Sequence, residues 1–166
     1  MGNPRWYVPF SLKELTLIVF QSLVAGGNIV LDPGILIAHA NLNVLSADSR
    51  CYSFDSRANG YATGEGMSVL VLKRLSDAIA DGNCIRAVIR STGTNSDGRT
   101  PGISQPSSTA QEALIRATYQ KAGLSMKLTR FFEAHATGTS VGDPLEAAAI
   151  GNAFAKQRSE AEPMIV

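Results

Sequence analysis

A chain of 166 residues is long enough for one domain with a real core. Its 45% hydrophobic and 17% charged residues exclude a disordered chain, and a net charge of +1 excludes the basic face that nucleic-acid binding usually needs. Two cysteines, Cys51 and Cys84, are too few for a disulfide framework and lack metal-ligand spacing, so a reducing, cytoplasmic setting is expected.

The first apolar run, at residues 15–20, follows a Lys-Glu pair. It lacks the basic start and small-residue cleavage pattern of a signal peptide, so it reads as a buried strand or short helix. No run of about 18 apolar residues follows anywhere, so no membrane-spanning helix is expected. Asp32-Pro33-Gly34 signals a turn. Ile35, Leu36, Ala38, Leu42 and Leu45 then suit one helix face. "SADSRCYSFDSRANG" is a long polar connection, of a length more often packed on a site than idle.

Residues 67–73 read as a strand, and "SDAIADG" as a short helix capped by Ser76 and stopped by Gly82. "CIRAVIRSTGT" alternates Ile85, Ala87 and Ile89 against Arg86, Val88 and Arg90, the period of a strand. The clearest helix comes next. Ser108 and Gln111 have capping-box spacing, Ala110, Ala113, Leu114 and Ala117 form an apolar stripe, and Gly123 supplies the stop. "TRFFEA" reads as a strand and "PLEAAAIGNAF" as a last helix, with Asp143 as cap, Pro144 at its first position and Glu146 at its third. Alternating strands and helices predict an α/β layered fold.

Chemistry concentrates at "EAHATGTSVGDP". His135 ends a predicted strand, where α/β proteins place ligands, and an imidazole there can donate to an oxygen gaining charge in a transition state. Thr137 and Thr139 offer two hydroxyls to a ligand amide or carbonyl. A structural histidine flanked by turn-forming threonines is the plainer alternative, and spacing alone leaves both open. A phosphate loop is excluded, because no lysine lies between Lys127 and Lys156. The other histidine, His39, sits between apolar residues of a predicted helix and reads as structural.

"EAHATGTSVGDPLEA" resembles the histidine motif of β-ketoacyl synthases, the condensing enzymes of fatty acid and polyketide synthesis. "RCYSFDSRANGYATGEG", "LKRLSDAIADGNCIRAVIRSTGTNSDGRTPGISQPS" and "AQEALIRATYQKAGL" are similar to the same family in the same order, most of all to the ketosynthase domain of multidomain polyketide synthases. The likeness runs from about Gly27 to the end, dividing the chain into an unmatched or altered segment, residues 1–26, and a partial ketosynthase domain, residues 27–166.

That resemblance implies a thiolase-like fold of five α-β-α-β-α layers, of which this chain covers the end of the first half and the start of the second. It implies a decarboxylative condensation of acyl thioesters with malonyl units carried by acyl carrier protein, and a homodimer of the complete domain. No cofactor would bind directly, since the substrates ride on the carrier's phosphopantetheine. His135 matches the first of two histidines that hold the enolate oxygen. Thr137 and Thr139 match threonines on the pantetheine arm, Asp143 and Glu146 match acidic residues that organise the site, and Asn95 matches a loop near the pocket. Ala136 stands where the family usually has glycine. The "TACSSS"-like nucleophile elbow is absent from the sequence, and the second histidine, in a "SNIGH"-like motif, is expected just beyond "PMIV". A fragment is therefore the expectation, with a non-catalytic thiolase-fold partner subunit as the alternative.

Overall fold

A computed structural model of the chain describes residues 20–102, 105–159 and 161–166. The apolar run at 15–20 lies outside them apart from Phe20. Contacts divide the described residues into two units, one of residues 20–27 and 67–92 and one of the remainder. Among the described residues no helix is long and apolar enough to cross a membrane.

In the first unit, β1 (Gln21–Asn28) pairs with β2 (Gly66–Lys73) in a two-stranded sheet. β2 is the strand expected at residues 67–73. Met67, Val69, Leu70 and Val71 stand exposed in it. Such a continuous apolar run is the pattern of a strand covered on both faces, as in layered α/β sheets. Helix α2 (Leu75–Ala80) follows. Its cap is Arg74 and not Ser76, since the Arg74 carbonyl accepts from Ala78 N at 2.9 Å and its guanidinium pairs with Asp77 at 2.7 Å. Gly82 ends it as expected. With φ at 64°, it lets Gly82 N reach Ile79 O at 3.1 Å and Asn83 N reach Ala78 O at 2.9 Å, the paired closure of a Schellman motif. The strand expected in "CIRAVIRSTGT" does not form. A strand needs a hydrogen-bonded neighbour, and among the described residues the one sheet is β1 with β2.

In the second unit, α1 (Pro33–Asn41) starts where Asp32 accepts from Gly34 N at 2.9 Å. It ends before the apolar pattern does. Asn43 turns with φ at 53°, and Leu45 leaves to form a parallel bridge with Tyr61. His39 lies half-buried against the Tyr61 hydroxyl at 3.2 Å. Helix α3 (Ser108–Ala122) is capped by Ser107, which accepts from Ala110 N at 3.2 Å, one residue ahead of the expected box. Gly123 stops it in the left-handed region, φ 63°. The expected strand "TRFFEA" reduces to one parallel bridge, Phe131 with Ile165, closed by Phe132 N on Ile165 O at 2.8 Å.

Helix α4 (Gly142–Phe154) carries the core. Ile150, Ala153 and Phe154 are buried, with Ile115, Tyr119, Met126, Phe132, Ala134 and Met164 packed on them. Tyr119 and Phe132 meet the Phe154 ring edge to face, centroids at 5.6 and 6.0 Å. The inward face of α3 is thus Ile115 and Tyr119, four residues apart, whereas Ala113 and Ala117 of the expected stripe face out. This packing fixes α4, and the amino end of α4 fixes the loop of residues 135–139.

Candidate functional site

The loop between Ala134 and α4 is held by two carboxylates from the first turns of that helix. Glu146 accepts from His135 N at 2.7 Å through Oε1 and from Ala136 N at 2.8 Å through Oε2. Asp143, only 3% exposed, accepts from Gly138 N at 3.1 Å and Thr139 N at 3.2 Å. Its Oδ2 also accepts from Phe54 N at 2.8 Å. A buried carboxylate persists when such donors replace its water. Asp143 is therefore not the helix cap that its position suggests, and Val141 occupies the cap without a side-chain bond. Thr139 takes over the task. Its Oγ1 accepts from Gly142 N at 3.1 Å and its carbonyl from Asp143 N at 3.2 Å.

A second segment, residues 51–60, straps the loop from the other side. Ser53 Oγ donates to Ala136 O at 2.5 Å, and Gly60 N donates to Gly138 O at 2.9 Å. Gly138 has φ at 78°, and a Cβ there would lie 2.7 Å from Tyr52 N. The bare backbone lets the two segments touch.

Within this frame His135 is exposed, and its ring makes no hydrogen bond among the described residues, so only its backbone is tied down. Thr137 and Thr139 share a hydrogen bond, Oγ1 to Oγ1 at 3.3 Å. Because Thr139 already accepts from Gly142 N, its hydroxyl can donate to Thr137, which leaves the Thr137 proton for a ligand. The arrangement offers an imidazole and a hydroxyl on one rigid loop.

Residues 21–78 match the family "Beta-ketoacyl synthase, N-terminal domain", and residues 86–166 match "Beta-ketoacyl synthase, C-terminal domain". The chain belongs to the β-ketoacyl synthase family. Among its relatives, Highly reducing polyketide synthase 40 of Fusarium mangiferae is 59% identical over 88% of this chain, and Reducing polyketide synthase pksF of Alternaria solani is 57% identical over 89% of it. The chain spans about 6% of the length of each. The solved ketosynthase from module 6 of the bacillaene synthase of Bacillus subtilis 168 superposes with a TM-score of 0.83 at 38% identity, over 89% of this chain and 26% of that one. The fold is accordingly part of the thiolase-like ketosynthase fold.

In this ketosynthase segment the expected site residues do not all converge. The structure brings His135, Thr137, Thr139, Asp143 and Glu146 together through the bonds above. Asn95 is elsewhere bonded, its amide donating to Ala110 O at 2.7 Å in the first turn of α3. The exposed Cys51 lies on the strap, accepting from Ala62 N at 3.2 Å. Sequence reasoning singled out the long polar connection and, of its residues, only Cys51. The Ser53 hydroxyl and the Phe54 and Gly60 amides are what it contributes, and a serine in a polar loop carries no signal of that.

Ala136 replaces the usual family glycine and has φ at 43°, a left-handed conformation that costs an L-residue roughly 1–2 kcal/mol. Glycine there would relieve the strain and give back part of the gain as unfolded-chain entropy. Ala136→Gly is expected to stabilise the segment by about 0.5 kcal/mol, read as a higher urea midpoint.

The strap is braced by an ion pair. Arg57 donates Nε to Asp55 Oδ1 and Nη2 to Oδ2, both at 2.9 Å, and its guanidinium stacks 4.7 Å over the Tyr52 ring. Side-chain hydrogen bonding from Arg57, with its backbone N–H second, holds the Asp55 pKa at about 2. A folded pKa below the unfolded one adds stability that is complete above the unfolded value and fades as pH falls towards the folded one. Asp55 should thus titrate near 2 by NMR, and Arg57→Ala should raise it only part of the way to the ordinary value of about 4, because the backbone N–H of residue 57 still donates to it.

Proposed function

We infer that this segment supplies one part of the condensing site of a ketosynthase within a multidomain polyketide synthase. The reading rests above all on the two-carboxylate clamp, which fixes the backbone of His135 and leaves its ring free for a ligand. The family match supports a thioester substrate for that ring.

In the reaction, a cysteine thiolate outside these residues takes the growing acyl chain as a thioester. Malonyl thioester on acyl carrier protein loses carbon dioxide, and the electron pair of the broken C–C bond becomes an enolate. A ring N–H of His135 donates to the enolate oxygen, where charge develops. The enolate carbon attacks the acyl thioester carbon, the new C–C bond forms and the thiolate leaves. The Thr137 and Thr139 hydroxyls hold the carrier's phosphopantetheine arm, Asp143 and Glu146 keep the loop in place, and Asn95 supports a neighbouring loop. No cofactor takes part beyond that arm. The complete domain works as a homodimer, and its nucleophile elbow and second histidine motif are not among these 166 residues.

Carbon–carbon bond formation from an acyl thioester and malonyl carrier protein tests this reading. The 166-residue chain alone is expected to give none, and turnover by it would overturn the assignment of the missing groups. In a domain completed with a nucleophile elbow and a second histidine, His135→Ala should lower condensation about 10²-fold or more. Full activity in that variant would remove His135 from the mechanism.

A further inference from the structure

We propose that Ser53 is a positioning residue, locking Ala136 in its left-handed conformation and so setting the orientation of His135 relative to the Thr137 and Thr139 pair. The inference rests on the proposed role of His135 for its functional meaning, but not for its geometry.

The argument starts from peptide planes. Glu146 accepts from His135 N and Ala136 N, so it fixes the planes before and after His135. The next plane carries the Ala136 carbonyl, and Ser53 Oγ holds that carbonyl at 2.5 Å. The dihedral angles of Ala136 lie between a plane fixed by Glu146 and a plane fixed by Ser53. With both held, φ of Ala136 sits at 43°. Alanine does not adopt that angle freely, so something must oppose its relaxation to negative φ. Beyond it, Gly138 is already anchored by Asp143 and Gly60. Relaxation at Ala136 would therefore have to pull on the Glu146 bonds and so turn His135 against a Thr137–Thr139 turn that Asp143 and Gly60 hold.

Ser53 is itself well placed to resist this. The residue after it, Phe54, has φ at 54° and its N–H bonded to Asp143 Oδ2 at 2.8 Å. The Phe54 side chain lines an apolar cleft with Ile150, Phe154 and Met164 of the core. The strap is thus anchored to α4 independently of Ser53. Ser53 belongs to the stretch that matches the N-terminal family domain and Ala136 to the C-terminal one. The hydroxyl carries the orientation of a loop of one across to a strap of the other.

The test is NMR of the 166-residue chain with labelled alanine and histidine. The Ala136 one-bond Cα–Hα coupling reports the sign of φ, and the ring signals of His135 and His39 report orientation, His39 serving as the remote control. Wild type and Ser53→Thr, which keeps the donor, should show positive φ at Ala136 and one His135 signal. Ser53→Ala should lose the positive-φ coupling and displace or double the His135 signal, with His39 unmoved. An unchanged Ala136 and His135 in Ser53→Ala, or equal movement of His39, overturns the proposal. If Ser53→Ala fails to fold, Ser53→Ala with Ala136→Gly removes the strain that the lost bond no longer holds. That double variant should fold with a broadened or doubled His135 signal, while Ala136→Gly alone keeps one. A sharp wild-type signal in the double variant, or its failure to fold, also overturns the proposal. Intact condensation in a completed domain with His135→Ala would sink the proposed function and leave these signals informative about Ser53.

Discussion

Gly138→Ala is expected to destabilise this segment by about 3 kcal/mol, the sum of overpacking against backbone and a left-handed alanine. The added Cβ would lie 2.7 Å from Tyr52 N and 3.2 Å from Cys51 C and Cα. None of these is a flexible side-chain tip that can turn aside. To make room, the strap must lift from the loop, which stretches Gly60 N from Gly138 O and Phe54 N from Asp143 together. The positive φ of 78° adds its own cost. Gly151→Ala is the matched control. It sits inside α4 with no neighbour within 4 Å of its Cβ, and glycine to alanine in an open helix position should stabilise by about 0.5–1 kcal/mol. Urea unfolding followed by helical circular dichroism reads both, since α1, α3 and α4 lie in the unit that holds the loop. Equal midpoints for the two variants would refute the close approach of loop and strap.

Much of this was legible in the sequence, and the rest failed for identifiable reasons. The α3 and α4 helices announce themselves by composition, by Gly123 and by the small-residue loop before Asp143. β2 does so by a β-branched apolar run after glycines. The α3 cap slips by one residue because Ser107 and Ser108 are chemically alike, and only the chain path decides which one has extended backbone. The expected stripe on α3 runs over Ala110, Ala113, Leu114 and Ala117, but burial follows the partner. Ile115 and Tyr119 are inside because the Phe154 ring is there to meet them. The run "CIRAVIRSTGT" has strand periodicity, which predicts how side chains would alternate in a ladder and not whether a neighbour is present to form one.

At the site, residue types were visible but not their connections. The histidine, the threonines and the two carboxylates stand close together in the chain, so the local motif exposes them. Their partners on the strap lie 83 residues away for Ser53 and 89 for Phe54, a separation that no local pattern reports. The strained φ of Ala136 is equally silent in sequence, except as an alanine where the family usually keeps glycine.

The second large effect falls on Asp143. Asp143→Ala should cost about 3–4 kcal/mol, because it leaves the N–H groups of Phe54, Gly138 and Thr139 without their shared acceptor. A buried donor left without an acceptor costs about 1–3 kcal/mol, and the total falls short of three such costs because only the Gly138 bond is fully buried and those of Phe54 and Thr139 are part-buried. Asp143→Asn separates charge from geometry. Its one oxygen can still serve Gly138 and Thr139, while its amide would face the Phe54 N–H donor to donor, so a loss of about 2 kcal/mol is expected. Glu146→Gln, at a half-buried site with two donors, should lose about 1 kcal/mol. The order Asp143→Ala, Asp143→Asn, Glu146→Gln in falling cost, read from urea midpoints, is the signature of a carboxylate that works as a buried acceptor for backbone. If Asp143→Asn matched wild type, the strap would be held by something other than this carboxylate. The physical content is that the loop before α4 has no core of its own. It is shaped by an acid that must find donors and by donors that must find an acid, and the geometry that satisfies both leaves the His135 ring exposed and the threonine hydroxyls bonded to each other.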